Sequence, residues 1–126
     1  YGDGANVRDW LFVDDHVDAL LLAACRGRLG ASYCVGGHGE RPNREVVEAI
    51  CRLLDEFRPA GAPHARLITR VTDRLGHDRR YSITHEKVSA LGWRCERDFA
   101  EGLADTVEWY RSHREWWEPL KARAAL

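Results

Sequence analysis

Short segments rich in β-branched and aromatic residues alternate along this chain with segments of helical periodicity. Residues 7–13 (VRDWLFV) are typical of a strand, as are the shorter runs at residues 32–35 and 67–71. Strands and helices that alternate in this way usually pack together as one α/β unit. The sequence therefore predicts an α/β fold in which three short strands pack with four or five helices.

Apolar residues recur at helical spacing between these predicted strands. The clearest stripe consists of Val46, Val47, Ile50, Leu53, Leu54 and Phe57. We expect Asn43 to be the N-cap of this helix, because a short polar side chain can accept a hydrogen bond from the first turn. By the same reasoning Asp14 is the predicted N-cap of an earlier helix, which Gly27 or Gly30 ends.

The second half of the chain carries further helix signals. Thr84 is the predicted cap of a short helix that Gly92 ends. Asp98 and Glu101 have the spacing of a capping box, which predicts the start of another helix. We expect residues 113–119 to be helical and the chain to fray after them.

Composition excludes several classes of partner. The formal net charge of −1 provides no field that would attract nucleic acid or an anionic membrane. No apolar run approaches the roughly 20 residues that cross a bilayer, and no secretion signal is visible. The four cysteines, Cys25, Cys34, Cys51 and Cys95, are widely spaced. This spacing favours reduced, buried thiols in a cytoplasmic protein over a disulfide framework or a zinc site.

The densest group of charged residues lies at residues 73–81, directly after a predicted strand. It contains three arginines, one histidine and two aspartates around Gly76. Arginine suits phosphate because its planar fork donates paired hydrogen bonds and stays charged. A glycine at this place permits a positive φ or a close approach of the backbone to a ligand. The segment is either a pyrophosphate clamp or a solvated loop with internal Arg–Asp pairs.

Two other positions allow a binding role and a structural one. Arg8 lies in an apolar strand, so its charge either points into a ligand site or pairs with Asp9. Asn43 either contacts a ligand or acts only as a helix cap. The acidic residues at 14–18 fit the first turn of a helix better than a metal site, so we predict no bound metal.

Five segments follow one another in an order known from one family. They are R-D-W-L-F-V-D-D-H (residues 8–16), Y-C-V-G-G-H (33–38), D-R-L-G-H-D-R-R-Y (73–81), L-G-W (91–93) and T-V-E-W-Y (106–110). Through them nearly the whole chain resembles the C-terminal part of the dTDP-glucose 4,6-dehydratases, which are extended short-chain dehydrogenases/reductases. The first segment is shared by many extended members, whereas the third is more particular to these dehydratases.

The resemblance implies a substrate-binding role. In this family a Rossmann domain holds NAD and a smaller C-terminal domain holds the nucleotide sugar, which is oxidised at C4, dehydrated across C5 and C6, and reduced at C6. It implies that residues 1–126 form the nucleotide-sugar-binding domain, in which residues 7–35 resemble elements that complete a Rossmann half. The substrate-binding positions that it implies are Tyr1, Arg8, Asn43, Asp73, Arg74, Leu75, Gly76 and His77. Leu75 replaces the usual proline, a change that we expect to loosen the loop.

The cofactor and catalytic motifs of the family do not occur in these 126 residues. There is no G-x-G-x-x-G after a strand and no Y-x-x-x-K. We therefore expect NAD in the full-length enzymes but not on this chain, no catalytic residue in this chain, and no activity from it alone. The expected partners are a dTDP-sugar and a missing Rossmann segment or a second copy. The alternatives are a non-catalytic interaction module and a part of another nucleotide-sugar epimerase or decarboxylase.

Overall fold

A two-stranded antiparallel sheet, five α-helices and two short 3₁₀ turns make up the regular structure of residues 1–124, the part of the chain that the computed structural model describes. The strands are β1 (Val7–Asp9) and β2 (Glu40–Pro42). The helices are α1 (Val13–Arg26), α2 (Asn43–Phe57), α3 (Glu86–Ser89), α4 (Phe99–Ser112) and α5 (Arg114–Ala124). In the sheet Val7 pairs with Pro42, and Asp9 pairs with Glu40.

Strand β1 is shorter than predicted because its last residue is tied to a glycine turn. The Asp9 carboxylate accepts hydrogen bonds from the backbone N–H groups of Gly37 and Gly39 at 3.1 and 2.8 Å. On its other side β1 bonds to the charged segment. The Val7 N–H donates to the Arg79 carbonyl at 2.8 Å. Strand β1 therefore places the charged segment beside the sheet.

Two of the predicted strands are wrong. Within residues 1–124, neither residues 32–35 nor residues 67–71 join a strand ladder. Leu67 instead ends a 3₁₀ turn, His64–Leu67. Tyr33 and Val35 use their apolar side chains to pack against the core, with no neighbouring strand. The observed second strand, β2, lies outside all three predicted strands.

The start of α1 differs from the prediction. Phe12 is the N-cap residue and Val13 begins the helix, so Asp14 lies in the first turn and is not the cap. The neighbouring Asp15 is buried, and its carboxylate accepts from the backbone N–H groups of residues 96 and 97 at 3.3 and 3.1 Å. Gly27 is the C-cap of the helix, so the first of the two predicted end positions is confirmed.

Two other predicted caps are also wrong, and one is confirmed. Pro42 occupies the N-cap position of α2, so the Asn43 side chain does not cap this helix. His85, not Thr84, precedes α3. At α4 the Asp98 side chain accepts from the backbone N–H of residue 101 at 2.9 Å, which confirms the predicted cap.

Helix α5 continues through Pro119, so the prediction that it ends there is wrong. Trp117 holds this helix against α4, because its indole N–H donates to the Tyr110 carbonyl at 2.7 Å. The last part of the predicted frayed tail, residues 125–126, lies outside the described residues.

The core is small and centres on Ala19, Val88 and Trp93, which are at most 4% exposed. Of the four free thiols only that of Cys51 is buried, and Cys95 is partly covered. The prediction of buried thiols is therefore wrong for Cys25 and Cys34, which are exposed.

The described residues offer neither a membrane-spanning helix nor a cluster of metal ligands. In residues 1–124 no helix is long and apolar enough to cross a membrane. The same residues bring together no group of three side chains that could hold a metal ion.

Candidate functional site

Two arginine side chains converge on one ring nitrogen of His77. The Nη2 atoms of Arg8 and Arg74 lie 2.8 and 3.0 Å from His77 Nε2. A guanidinium group only donates hydrogen bonds, so Nε2 must be the acceptor and the imidazole must be neutral, with its proton on Nδ1. That nitrogen lies 2.7 Å from Asp73 Oδ1, to which it donates.

Asp73 fixes this tautomer because it is ionised at neutral pH. The hydrogen bond from His77 is the largest influence on the carboxyl group and lowers the pKa of Asp73. Partial desolvation opposes this effect, and the backbone N–H of Arg74, which donates to Oδ1 at 2.9 Å, adds to it. The acceptor for the Nδ1 proton is thus a stable carboxylate.

Aromatic rings and carbonyl groups hold the two arginines. Arg8 donates to the carbonyls of Val7 and Asp78 at 2.6 and 3.1 Å, and its guanidinium lies 4.1 Å from the centre of the Tyr81 ring. The guanidinium of Arg74 lies 5.1 Å from the centre of the Tyr1 ring. Both arrangements are cation–π contacts, which orient the guanidinium without neutralising its charge.

Neither of these two arginines has a carboxylate partner within 4.0 Å among the described residues. The next arginines of the loop differ, since Arg79 pairs with Asp3 and Arg80 with Glu40. Like charges that share one acceptor repel each other unless an anion lies between them. The geometry therefore suits a ligand with a negatively charged group such as a phosphate.

Asn43 joins the cluster through Asn6. Its backbone N–H donates to the Asn6 carbonyl at 2.9 Å, and Asn6 Nδ2 donates to the Asp78 carbonyl at 3.2 Å, beside His77. The side-chain oxygen of Asn43 is buried and has no hydrogen-bond partner within residues 1–124. Helix capping therefore does not account for this side chain, and its acceptor stays unsatisfied within the described residues.

The structure brings together five of the eight predicted positions around one imidazole: Tyr1, Arg8, Asp73, Arg74 and His77. Asn43 is linked to them only through Asn6, and the other two positions, Leu75 and Gly76, lie apart from them. Leu75 is fully exposed, and Gly76 has a φ of 70° with open space on the side where a Cβ would lie. They form the tip of the loop, and their contact with a ligand stays a prediction.

The sequence analysis did not identify Asn6 as part of the cluster, and the structure excludes one of the two alternatives for Arg8. Asn6 is only 4% exposed, and the signal for it was its place directly before the strand that carries Arg8. The alternative Arg8–Asp9 pair does not form, because Asp9 accepts from the glycine turn and Arg8 contacts His77.

A family model described as GDP-mannose 4,6 dehydratase matches residues 1–106, and the chain belongs to this family. Its similarity extends to the dTDP-glucose 4,6-dehydratases. The one from Xanthomonas campestris is 51% identical over 119 residues, which are 92% of this chain and 34% of the relative. The structure of the Streptomyces venezuelae dTDP-glucose 4,6-dehydratase with NAD bound superposes with a TM-score of 0.81 and 47% identity, and the match covers 95% of this chain and 35% of that one. A Thermus thermophilus UDP-glucose 4-epimerase, also with NAD, reaches a TM-score of 0.68 and 30% identity, covering 89% of this chain and 33% of that one.

These similarities confirm two predictions. The resemblance to the C-terminal part of dTDP-glucose 4,6-dehydratases is confirmed, and so is the α/β class of an extended short-chain dehydrogenase/reductase. The chain spans about a third of the length of these relatives.

The described residues do not fit a dinucleotide such as the NAD of the relatives. A dinucleotide cradle needs a glycine turn between a strand and the start of a helix. Gly2 and Gly4 precede β1, and they pack against the side chains of Asp73 and Arg44. These two glycines therefore do not form such a cradle.

Proposed function

We propose that this chain is the substrate-binding part of an NAD-dependent dTDP-glucose 4,6-dehydratase, the enzyme that converts dTDP-glucose to dTDP-4-keto-6-deoxyglucose, and that it is inactive alone. The observation that carries the proposal is the pair formed by Arg8 and Arg74, two guanidinium groups that meet without a carboxylate. A nucleotide sugar supplies the diphosphate that such a pair lacks.

Each residue of the site has a proposed role within this function. Arg8 and Arg74 bind the diphosphate. Asn43 contributes to substrate binding through its side chain, whose oxygen has no hydrogen-bond partner in the described residues. The exposed tip at Leu75 and Gly76 closes over the nucleotide. Residues 1–126 then act as one nucleotide-sugar-binding domain, in the cytoplasm as the sequence predicts.

The alternative of another nucleotide-sugar enzyme has weaker support. The epimerase from Thermus thermophilus is 30% identical to this chain, whereas the dTDP-glucose 4,6-dehydratases from Xanthomonas campestris and Streptomyces venezuelae are 51% and 47% identical. We therefore assign the thymidine nucleotide, and not the uridine nucleotide, to the site.

Calorimetric titration with dTDP-glucose tests the proposal. We expect binding by the unmodified chain, and we expect Arg8→Gln and Arg74→Gln each to raise Kd at least about tenfold, because each removes a charged hydrogen-bond donor. Arg79→Gln is the matched control, since it removes a positive charge from the same loop at a side chain that pairs with Asp3. Its Kd should stay within about twofold of the unmodified value. No heat at millimolar ligand, or an equal loss in the control, contradicts the proposal.

The proposed partner is the Rossmann part of such an enzyme, docked on α1. Four apolar side chains of this helix lie on one face at spacings of three to four residues: Val13, Val17, Leu20 and Leu21. They are between 43% and 63% exposed. About two thirds of each relative lies outside the region matched by this chain, and the proposal assigns the Rossmann part to that remainder. We propose this segment as the occupant of the face, and residues 7–35 as elements that complete the Rossmann half.

A further inference from the structure

His77 lies at the centre of the arginine pair and is itself almost fully covered. Its side chain is 9% exposed, and Asn6, Arg8, Asp73 and Arg74 surround its ring nitrogens. The unprotonated Nε2 has a single lone pair in the plane of the ring, and two guanidinium groups share it. The other nitrogen donates its proton to Asp73. Neither nitrogen is left to contact a ligand directly.

The two arginines depend on His77 to different degrees. Arg8 has two backbone carbonyls as further acceptors, those of Val7 and Asp78. For the Arg74 guanidinium, His77 Nε2 is the single hydrogen-bond acceptor in the described part of the chain, and the ring of Tyr1 provides the remaining contact. Arg74 is exposed, so without His77 its long side chain is free to adopt many rotamers.

We propose that His77 is a positioning residue that uses its neutral Nε2 to hold Arg74, and to a smaller degree Arg8, in place for the diphosphate of a nucleotide sugar. Asp73 makes this possible by keeping the proton on Nδ1. The inference rests on the proposed function, because the positioned group is the diphosphate clamp. Within that function, His77 increases the affinity for the ligand indirectly, because it holds the arginines in place.

Two amide substitutions of His77 separate this role from a general structural one. The side-chain oxygen of His77→Gln can take the place of Nε2 and accept from the arginines. His77→Asn can keep the donor to Asp73 but cannot reach the arginines. We expect His77→Asn to raise the Kd for dTDP-glucose about tenfold and His77→Gln to stay within about threefold, since a lost charged hydrogen bond has an effect of this order. The thermal unfolding midpoints of the two variants should agree, as both replace the ring with a neutral amide.

A double-mutant cycle tests which arginine His77 positions. In the His77→Asn background, Arg74→Gln should change Kd by less than about twofold, because Arg74 is already released, whereas Arg8→Gln should keep most of its effect. Nitrogen NMR of the unmodified chain near neutral pH provides a test that needs no variant. It should show a neutral His77 with its proton on Nδ1.

The outcomes distinguish this inference from the function on which it rests. Equal losses in the Asn and Gln variants, an undiminished effect of Arg74→Gln in the cycle, or a proton on Nε2 overturns the role of His77 while binding itself persists. Failure of the unmodified chain to bind dTDP-glucose overturns the proposed function, and the inference with it.

Discussion

Asn43 and Arg74 each carry a polar group that residues 1–124 leave without its best partner. A buried carbonyl oxygen without a hydrogen bond, such as that of Asn43, costs about 1–3 kcal/mol. The Arg74 guanidinium has a neutral imidazole where a carboxylate is usual. Arg74 contacts His77 directly, and Asn43 is linked to His77 through Asn6, to which its backbone N–H donates. Each unsatisfied group of this kind needs an explanation, and a bound ligand is one.

The four thiols provide a prediction at the level of single residues. Burial raises the pKa of the Cys51 thiol, and burial together with the Asp15 carboxylate raises the pKa of Cys95 to about 11. The thiolate is the reactive form, so a raised pKa leaves less of it at a given pH. With a thiol reagent at about pH 8, we expect the exposed Cys25 and Cys34 to react quickly and the other two slowly.

Mass spectrometry of the partly labelled chain identifies which thiols react. A Cys25→Ser/Cys34→Ser double variant should lack the fast phase and keep the slow one. Equal rates at all four thiols would mean that the coverage of Cys51 and Cys95 is lost in solution.

Local contacts at the helix ends allow a prediction about stability, and the N-cap of α4 provides the clearest case. Asp98→Ala removes the acceptor for the backbone N–H of residue 101, and we expect a loss of about 1 kcal/mol in the free energy of unfolding. Asp98→Ser keeps a capping oxygen and should lose less than about half of that. Urea denaturation followed by circular dichroism measures both. A larger loss in the Ser variant than in the Ala variant would contradict the assignment of the cap.

Local signals predicted the helices well, and non-local pairing explains the errors in the strands. The stripe of α2 repeats along one face, so its periodicity alone locates the helix. Strand β2 has the sequence Glu-Arg-Pro, which has no strand character, and it is extended because β1 lies beside it. The runs at residues 32–35 and 67–71 have strand character but no partner strand among residues 1–124. Pairing of this kind cannot be seen in a short window of sequence.

The candidate site was predictable to the extent that its charges are close together in the sequence. Asp73, Arg74 and His77 lie within five residues, so the loop was visible as a cluster. The residues alone left two alternatives open for Arg8 and gave no signal for Tyr1, because both join the loop through contacts about 70 residues apart in sequence. The family resemblance supplied both. The N-cap of α1 was predicted wrongly for a related reason. Its N-cap residue, Phe12, packs beside Gly102 of α4, a non-local contact that the local sequence around Asp14 does not reveal.

The molecule as a whole combines a small core with a broad apolar face that is exposed on α1. The fully buried part of the core is limited to a few side chains, whereas α1 exposes Leu20 and Leu21 by more than half. A contiguous apolar patch is typical of a surface that another segment covers. A Leu20→Gln/Leu21→Gln double variant should therefore bind several-fold less of an apolar dye. Its free energy of unfolding should change by no more than about 0.5 kcal/mol, because both side chains already face solvent.

Leu29→Gln is the matched control for this variant, since Leu29 is 98% exposed and lies beyond the end of α1. It should leave dye binding unchanged. Joining the chain to the Rossmann part of a dTDP-glucose 4,6-dehydratase should abolish dye binding at α1, because that segment is the proposed occupant. If light scattering shows instead that the chain alone is a dimer which the double variant converts to a monomer, then a second copy covers the face. A control variant that loses as much dye as the double variant would show that the apolar surface is not concentrated on α1.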